Sequence, residues 1–399
     1  MSRAAWSSFA AIALAACSDG NLPTRPPGPP TAARATKVKQ WESNAATHWD
    51  SVARSLVAAN GSNPFQAIRG YAVVTLAQYN AAIAAENADA SDGSHASVHA
   101  AIASASVVAL KYLYPGNAGA LESSLGEYLE EPAWPGTAHT DVTAGDAIGR
   151  TIAAQVVARA QGDNFFAPWT GTVPVGPGLW FSATPPIGGA FGLAKTYFLT
   201  SGGQFRPDPP PPFDSEAFRA ALAEVRQISD TRTVEQDANA KFWNFPLGTY
   251  QPPGYWNDEG TTLAERYRLN ERETAHTLAL MNMVGFDAIV ASHDAKYFYW
   301  LIRPSQADPG ITLSVPLPNF PSYPSNHATL SAAMARILGD RFPSEKQRLD
   351  SLAEDAALSR VRGGIHYRFD GEAGVALGRK VAAWALAHDV TGHSPFALQ

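Results

Sequence analysis

Residues 265–304 read "ERYRLNERETAHTLALMNMVGFDAIVASHDAKYFYWLIRP". The run from Tyr297 to Ile302 is apolar on nearly every face, the pattern of a helix buried all round. Yet the same stretch carries Lys296 and Arg303, seven residues apart. Seven positions at 3.6 per turn return to nearly the same face, about 10 Å along the axis. Pro304 disfavours helical geometry for Arg303, so the helix is expected to end there. Buried cations need a partner, and no carboxylate follows on that face. An anion is the natural candidate; the plainer reading is a solvated basic edge with snorkelling stems.

The same helical grammar runs through most of the chain. Residues 38–59, 64–86, 95–114 and 144–161 are Ala-rich and amphipathic, with Asn-Gly-Ser-Asn and Ser-Asp-Gly punctuation between them. Residues 165–213 instead form a long stretch rich in Gly, Pro and aromatic residues, including "RPDPPPPF", and ordered loops of that length are often functional covers. Helices resume at Ser215, and further ones are expected from Asn326, from near Glu345 and from about Asp370 to His388. Strand-type alternation is scarce and no solenoid repeat is present. The expectation is an all-α protein, two packed helical bundles in one body over residues 37–399, with the active-site bundle at about 213–399.

A 399-residue chain can bury a large core. Its net charge of −6 and lack of a basic run argue against nucleic acid as a partner. The opening "MSRAAWSSFAAIALAACSDG" has one Arg, a short apolar run and small residues before Cys17, the chain's single cysteine. That is an export signal too short to span a bilayer, and Leu14-Ala15-Ala16-Cys17 resembles a bacterial lipoprotein signal. The expectation is a signal peptide over 1–16, lipidation at Cys17, and a Pro-rich tether over 17–36. The protein would face the periplasm from the outer membrane, touching membrane through its lipid anchor only. Whether it is a homo-oligomer is left open.

Further polar residues extend the anion argument. In "FPSYPSNHATLSAAMARIL", residues 320–338, a Pro-rich lead-in hands over to Ser325, Asn326 and His327 at a helix start, where free N–H groups and the macrodipole favour anions. In "LSRVRGGIHYRFDG", residues 358–371, Arg360 sits near one helix end, His366 in the tight connection after Gly363-Gly364, and Asp370 reads as the cap of the next helix. Each alone is ordinary capping or a structural side chain. Together, Lys296, Arg303, Ser325, His327, Arg360 and His366 make one oxyanion cage with two titratable imidazoles.

At this point K-x6-R-P (Lys296 to Pro304), P-S-x-H (Pro324 to His327) and S-R-x5-H (Ser359 to His366) resemble the three-part signature of the vanadium-dependent haloperoxidases and type 2 phosphatidic acid phosphatases. "DAKYFYW", "FPSYPS", "GIHYRFDGEAG", "FRPDPPPPF" and "PPGYWND" look more like the bacterial haloperoxidase branch. The resemblance implies that Lys296, Arg303, Ser325, Arg360 and a backbone N–H at Asn326 hold vanadate, with phosphate able to occupy the same site. It implies that His366 ligates vanadium or attacks phosphorus, that His327 is the acid–base group, and that Lys296 polarises bound peroxide.

Two positions depart from the pattern. Asn326 stands where the family has glycine; if that position needs a left-handed backbone, Asn is the most tolerant replacement, and its side chain adds bulk or a donor beside the oxyanion. His293 lies one turn before Lys296, where haloperoxidase relatives usually carry tryptophan near the halide. A protonated His293 could bind an anion. Phe320 matches the aromatic at the halide pocket of chloride-using relatives.

Three functions follow. The first is a vanadate-dependent haloperoxidase that takes hydrogen peroxide, a halide and a small organic acceptor. The second is an acid phosphatase working through a phosphohistidine at His366, and the third a non-catalytic oxyanion-binding lipoprotein. His95 and His99 are spaced like a metal pair but lack further ligands, so they read as a polar helix start.

Overall fold

The computed structural model describes residues 44–92, 96–130 and 141–389. The expected signal peptide, Cys17, the tether and His95 lie outside the described residues. Thirteen α-helices are described: α1 Ala45–Ala59, α2 Pro64–Asp92, α3 Val98–Leu113, α4 Ala118–Glu130, α5 Val142–Gln161, α6 Glu216–Thr231, α7 Val234–Phe242, α8 Gln251–Arg266, α9 Glu271–Tyr299, α10 Pro304–Ala307, α11 Asn326–Arg341, α12 Lys346–Arg362 and α13 Arg368–His388. No strand occurs among the described residues, only two isolated bridges, Ala96 with Asp141 and Leu179 with Leu301.

The stretch that opened the sequence is two helices. α8 ends at Arg266, where the N–H groups of Tyr267 and Leu269 donate back to the carbonyls of Leu263 and Ala264; Arg268 follows at φ 54°, and Asn270 starts α9 with a reciprocal capping box to Glu273. Such a box satisfies two orphan N–H groups at once. α9 is the axis of the fold. It packs on α2 on one side and on α11 and α13 on the other. α3 and α5 pack on α2 and on each other, and α12 closes the C-terminal bundle against α11 and α13. One contiguous apolar core runs through both bundles, from Trp49 and Tyr79 through Met281 and Val284 to Leu338 and Val381. Among the described residues α9 alone is long and apolar enough to cross a membrane, but 94% of that apolar stretch is buried inside the protein.

α8 was not legible as a helix. Its first turn contains Pro252 and Pro253, which read as loop but suit the start of a helix, where N–H groups have no intrahelical partner. α4 was likewise missed. The stretch 165–213 contains only two short 3₁₀ turns, Phe191–Leu193 and Gly202–Phe205. It is fastened to α9 at two carboxylates. Buried Asp287 accepts the N–H groups of Tyr197 (2.8 Å), Phe198 (2.7 Å) and Leu199 (3.1 Å). Asp294 accepts Nε and Nη2 of Arg206 at 2.8 and 3.1 Å.

Candidate active site

The site is assembled on the loop between α10 and α11. Lys296, fully buried in the last turn of α9, donates to the carbonyls of Pro321 (3.0 Å), Ser322 (2.7 Å) and Pro324 (2.5 Å). Three acceptors require three protons, so the group is the ammonium, and its protons are committed to the loop. Arg303 reaches the same loop by a different route from the one its spacing implies. α9 ends at Tyr299, Trp300 adopts a left-handed conformation (φ 53°), and Arg303 is extended, at the cap of α10. Its Nε donates to Phe320 O at 3.0 Å and its Nη1 to Ile365 O at 2.7 Å. The two cations therefore meet through the loop and not along a shared helix face.

His366 is fixed from both ring nitrogens. Nδ1–H donates to Asp370 Oδ2 at 2.8 Å, and Nε2 lies 3.0 Å from Arg303 Nη1. The same Asp370 oxygen accepts Ser322 Oγ–H (2.6 Å) and the Tyr367 N–H (3.1 Å). This network leaves the lone pair of His366 at Nε2, the atom that a ligand or a nucleophile would use. Asp370 opens α13, and α13 can approach α11 because Gly374 has no side chain: a Cβ there would come within 2.7 Å of Ser325 O. In return, Ser325 N–H donates to Asp370 O at 2.9 Å.

Ser325 caps α11, its hydroxyl oxygen facing the Ala328 N–H at 3.5 Å. The first N–H groups beyond it, on Asn326 and His327, have no intrahelical partner. His327 Nε2–H donates to Trp243 O at 2.8 Å, which leaves Nδ1 as its base. Arg360 is fully buried at the end of α12, with Nε on Ser359 Oγ (2.9 Å) and Nη2 on Ala240 O (2.6 Å).

His293 and Asn326 form the adjoining wall. Asn326 opens α11 in ordinary right-handed geometry, so this position does not require a glycine backbone. Its Oδ1 accepts Ser292 Oγ–H (2.7 Å), and its Nδ2 donates to His293 Nε2 (3.0 Å). His293 Nδ1–H then donates to Gly188 O at 3.1 Å. Gly188, at φ 75°, must be glycine twice over, since a Cβ would also press within 2.9 Å of the His293 ring. Phe65, Phe191 and Phe320 surround that ring with centroids at 4.7, 5.4 and 5.5 Å. Burial, then repulsion from Lys296, pushes the His293 pKa down to about 3, so the ring is neutral. A cationic, anion-binding His293 does not fit this geometry. The Phe320 ring lies 5.2 Å from Lys296 Nζ and 5.1 Å from the Arg303 guanidinium carbon.

The electrostatics fit an oxyanion. Burial lowers the pKa of Lys296 well below its usual value, with repulsion from Arg303 adding to it. Burial brings Arg303 down to about 10 and Arg360 to about 9. Asp370 is the buried carboxylate opposing this on Lys296 and Arg303, itself raised to about 6 by burial, and Arg360 is offset only by the outlying Asp355. Positive charge is in excess, and Arg303 Nη2 is buried without a hydrogen-bond partner. Such a donor is costly unless something accepts from it. The pKa values of His327 and His366 both fall well below the ordinary histidine value, first through burial and then through the neighbouring arginines. A tetrahedral oxyanion is the species this donor set lacks.

Ser322 and Asp370 are the site residues the sequence reading missed. Asp370 was read as a helix cap, which it is; its i, i+4 spacing from His366 was the signal for its second task. His99, the described half of the weighed metal pair, stacks on Tyr128 and bonds Glu271 Oε1 at 2.7 Å, and no group of metal-ligand type occurs among the described residues.

Residues 276–391 match the PAP2 superfamily. Over 102 residues the chain is 36% identical to decaprenylphosphoryl-5-phosphoribose phosphatase of Mycobacterium tuberculosis, a match covering 25% of this chain and 56% of the relative. It is 30% identical over 102 residues to the vanadium-dependent bromoperoxidase of Ascophyllum nodosum, covering 18% of each chain. The matches thus span little more than half of the first of these curated relatives. The similarity of the fold is far wider. A bacterial vanadium-dependent iodoperoxidase superposes with a TM-score of 0.74 at 22% identity, over 87% of this chain and 96% of its own. A bacterial vanadium-dependent chloroperoxidase gives 0.67 at 16% identity, over 82% and 91%. Residues 276–391 thus carry the PAP2 superfamily pattern, and the all-helical fold is similar to that of the bacterial vanadium haloperoxidases.

Proposed function

We propose that the chain is a vanadate-dependent haloperoxidase that uses hydrogen peroxide and a proton to oxidise halide to hypohalous acid and water. The observation that carries this reading is enclosure. Lys296 and Arg303 are fully buried, and Arg360 and His366 are 1% and 3% exposed. Such a cage suits small inorganic species better than a bulky phosphate ester. His366 would hold vanadium through Nε2, while Arg303, Arg360, Ser325 and the N–H groups at the start of α11 would hold its oxygens. Vanadate so bound supplies the Lewis-acidic centre at which peroxide becomes an oxidant. Lys296 contributes charge to the cage and keeps the loop in place. His327 takes and returns a proton at Nδ1, its lowered pKa keeping it in the base form at neutral pH.

The carboxylate on His366 favours a second reading. The Asp370–His366 hydrogen bond raises the basicity of Nε2, which suits a nucleophile in phosphoryl transfer as well as a metal ligand. Vanadate separates the two. The haloperoxidase gains peroxide-dependent bromination of a phenolic dye when vanadate is added, and phosphate competes. A phosphatase is inhibited, because vanadate resembles the phosphoryl-transfer transition state. Binding with neither activity would leave an oxyanion-binding protein.

The same proposal places the enzyme at the outer membrane, facing the periplasm and tethered by a lipid on Cys17. Replacing Cys17 with Ser should move it from the membrane fraction to the soluble one. A wild type already soluble, and starting at another residue, would overturn the anchor.

A further inference from the structure

Beside the cage, and separated from it by the His293 ring, lies a cavity of about 320 Å³ between α9 and the stretch 165–213. His293 is at its floor, Trp169, Tyr297 and Phe298 are its aromatic walls, and the Arg206–Asp294 ion pair is at its rim. The walls are held in place. A Cβ on Gly189 would come within 2.5 Å of the Trp169 ring, so the indole lies directly against the backbone. Tyr297 Oη–H donates to Ile187 O at 2.6 Å, and the Arg206 guanidinium sits 3.8 Å over the Phe298 ring. The volume is at the small end of ligand pockets, which run from about 300 to 1,000 Å³. Fixed aromatic faces favour planar, electron-rich partners by offset stacking, and the ion pair offers both a donor and an acceptor to one polar substituent.

We propose that this pocket binds the organic acceptor, and that the acceptor is a one- or two-ring aromatic of the phenol or indole type. The inference rests on the haloperoxidase reading for its chemistry and on the pocket alone for its binding. His293 lines this cavity and also meets Asn326 and Phe320 beside the cage, so an acceptor bound here would lie next to the source of hypohalous acid. A carbon–halogen bond forms, the oxygen–halogen bond breaks, and the displaced ring proton leaves with the hydroxide as water. The halogen is reduced by two electrons and the ring oxidised by two. Holding the acceptor there makes halogenation saturable in acceptor, which free diffusion of hypohalous acid would not do.

Two measurements test this. Isothermal titration of phenol and of indole into the full chain without vanadate should show saturable binding to one site, with cyclohexanol binding at least tenfold more weakly. The second uses Leu193→Trp, an exposed pocket residue whose enlargement fills the cavity without entering the core (Leu193 is 72% exposed). The ratio of phenol bromination to triiodide formation, which needs no organic acceptor, should fall at least tenfold, and phenol binding should weaken with it. Trp169→Ala should act in the same direction. Absence of saturable aromatic binding, or an unchanged ratio in both variants, overturns the pocket. Absence of any peroxide-dependent halide oxidation, with binding intact, overturns the haloperoxidase reading and leaves the aromatic site standing.

Discussion

Asn326 Nδ2 donates to His293 Nε2 at 3.0 Å, so the two residues that depart from the family pattern are partners. Each accounts for the other. An asparagine at the head of α11 needs an acceptor for its amide, and a buried neutral imidazole with Nδ1–H on Gly188 O offers one at Nε2. Burying either without the other leaves an unpaired polar atom.

The pair therefore predicts non-additivity. Asn326→Gly and His293→Trp should each reduce thermal stability and halide oxidation. The double variant should be less impaired than the sum, by about 0.5–3 kcal/mol as contacting residues show. Strict additivity in thermal unfolding would show that the contact carries no coupling. Because burial holds His293 at about 3, its Cε1–H resonance should not titrate between about pH 5 and pH 8, the range of an ordinary histidine.

The cage predicts a large loss on removing Arg360. Its charge is buried and makes only two hydrogen bonds, to Ser359 Oγ and Ala240 O, so much of its pairing is left to a bound anion. Arg360→Ala should weaken phosphate or vanadate binding by about 2–5 kcal/mol. In the wild type, phosphate at about 100 times its Kd should add about 2.7 kcal/mol of stability by mass action. A thermal shift assay should show that gain nearly abolished in the variant. An equal shift in both proteins would place the anion elsewhere.

How much of this was readable in advance follows the range of the interactions. The buried helix α9, the capped start of α11 and the Gly363-Gly364 connection are local patterns, and each left its mark within a few residues. Arg303 shows the limit. Its approach to Lys296 was inferred from a continuous helix, whereas Trp300 takes the left-handed conformation that usually calls for glycine, and nothing in the local sequence marks it. The partners of His327 and Arg360 are the carbonyls of Trp243 and Ala240. Main-chain atoms carry no residue signature, so no motif could name them. The placing of Gly188 against His293 depends on how residues 165–213 fold back on α9 through Asp287 and Asp294, a long-range event invisible to periodicity.

Asp370 predicts a positioning effect. It accepts from Ser322, His366 and the Tyr367 N–H at one oxygen. Asp370→Asn keeps the volume but replaces one carboxylate oxygen with a donor and removes the charge, so His366 loses the group that fixes its tautomer. Loss of such a partner typically costs about 10–100-fold in metal affinity or activity, and vanadate titration of turnover should show it mainly as weaker vanadate binding. Ser322→Ala, which leaves the His366–Asp370 contact in place, should cost far less. Equal losses in the two variants would mean that general packing, not the imidazole, is affected.

The last prediction concerns protons. Without an anion, burial and then the cations beside them hold His327 and His366 well below their ordinary pKa. A bound oxyanion offsets the repulsion from Arg303, Arg360 and Lys296 but not the burial, so both pKa values rise part of the way back. The carboxyl of Asp370, already raised to about 6, moves upward as well, because an anion disfavours its charged form. All three changes have one sign: the protein takes up protons when the anion binds. By linkage, binding must then tighten as pH falls, by up to about tenfold per pH unit for each proton taken up. Sulfate is the suitable probe, since its charge stays at −2 throughout this range. Its Kd should fall as the pH drops through about 6, where Asp370 takes up its proton, and go on falling below that, because both imidazoles titrate below the ordinary histidine value. Calorimetry at fixed pH in buffers of different ionisation enthalpy should register the proton uptake directly. His327→Gln should reduce the uptake and flatten the pH dependence while leaving sulfate bound. A Kd that is level across the range, or proton release on binding, would contradict the coupling between the imidazoles and the three cations.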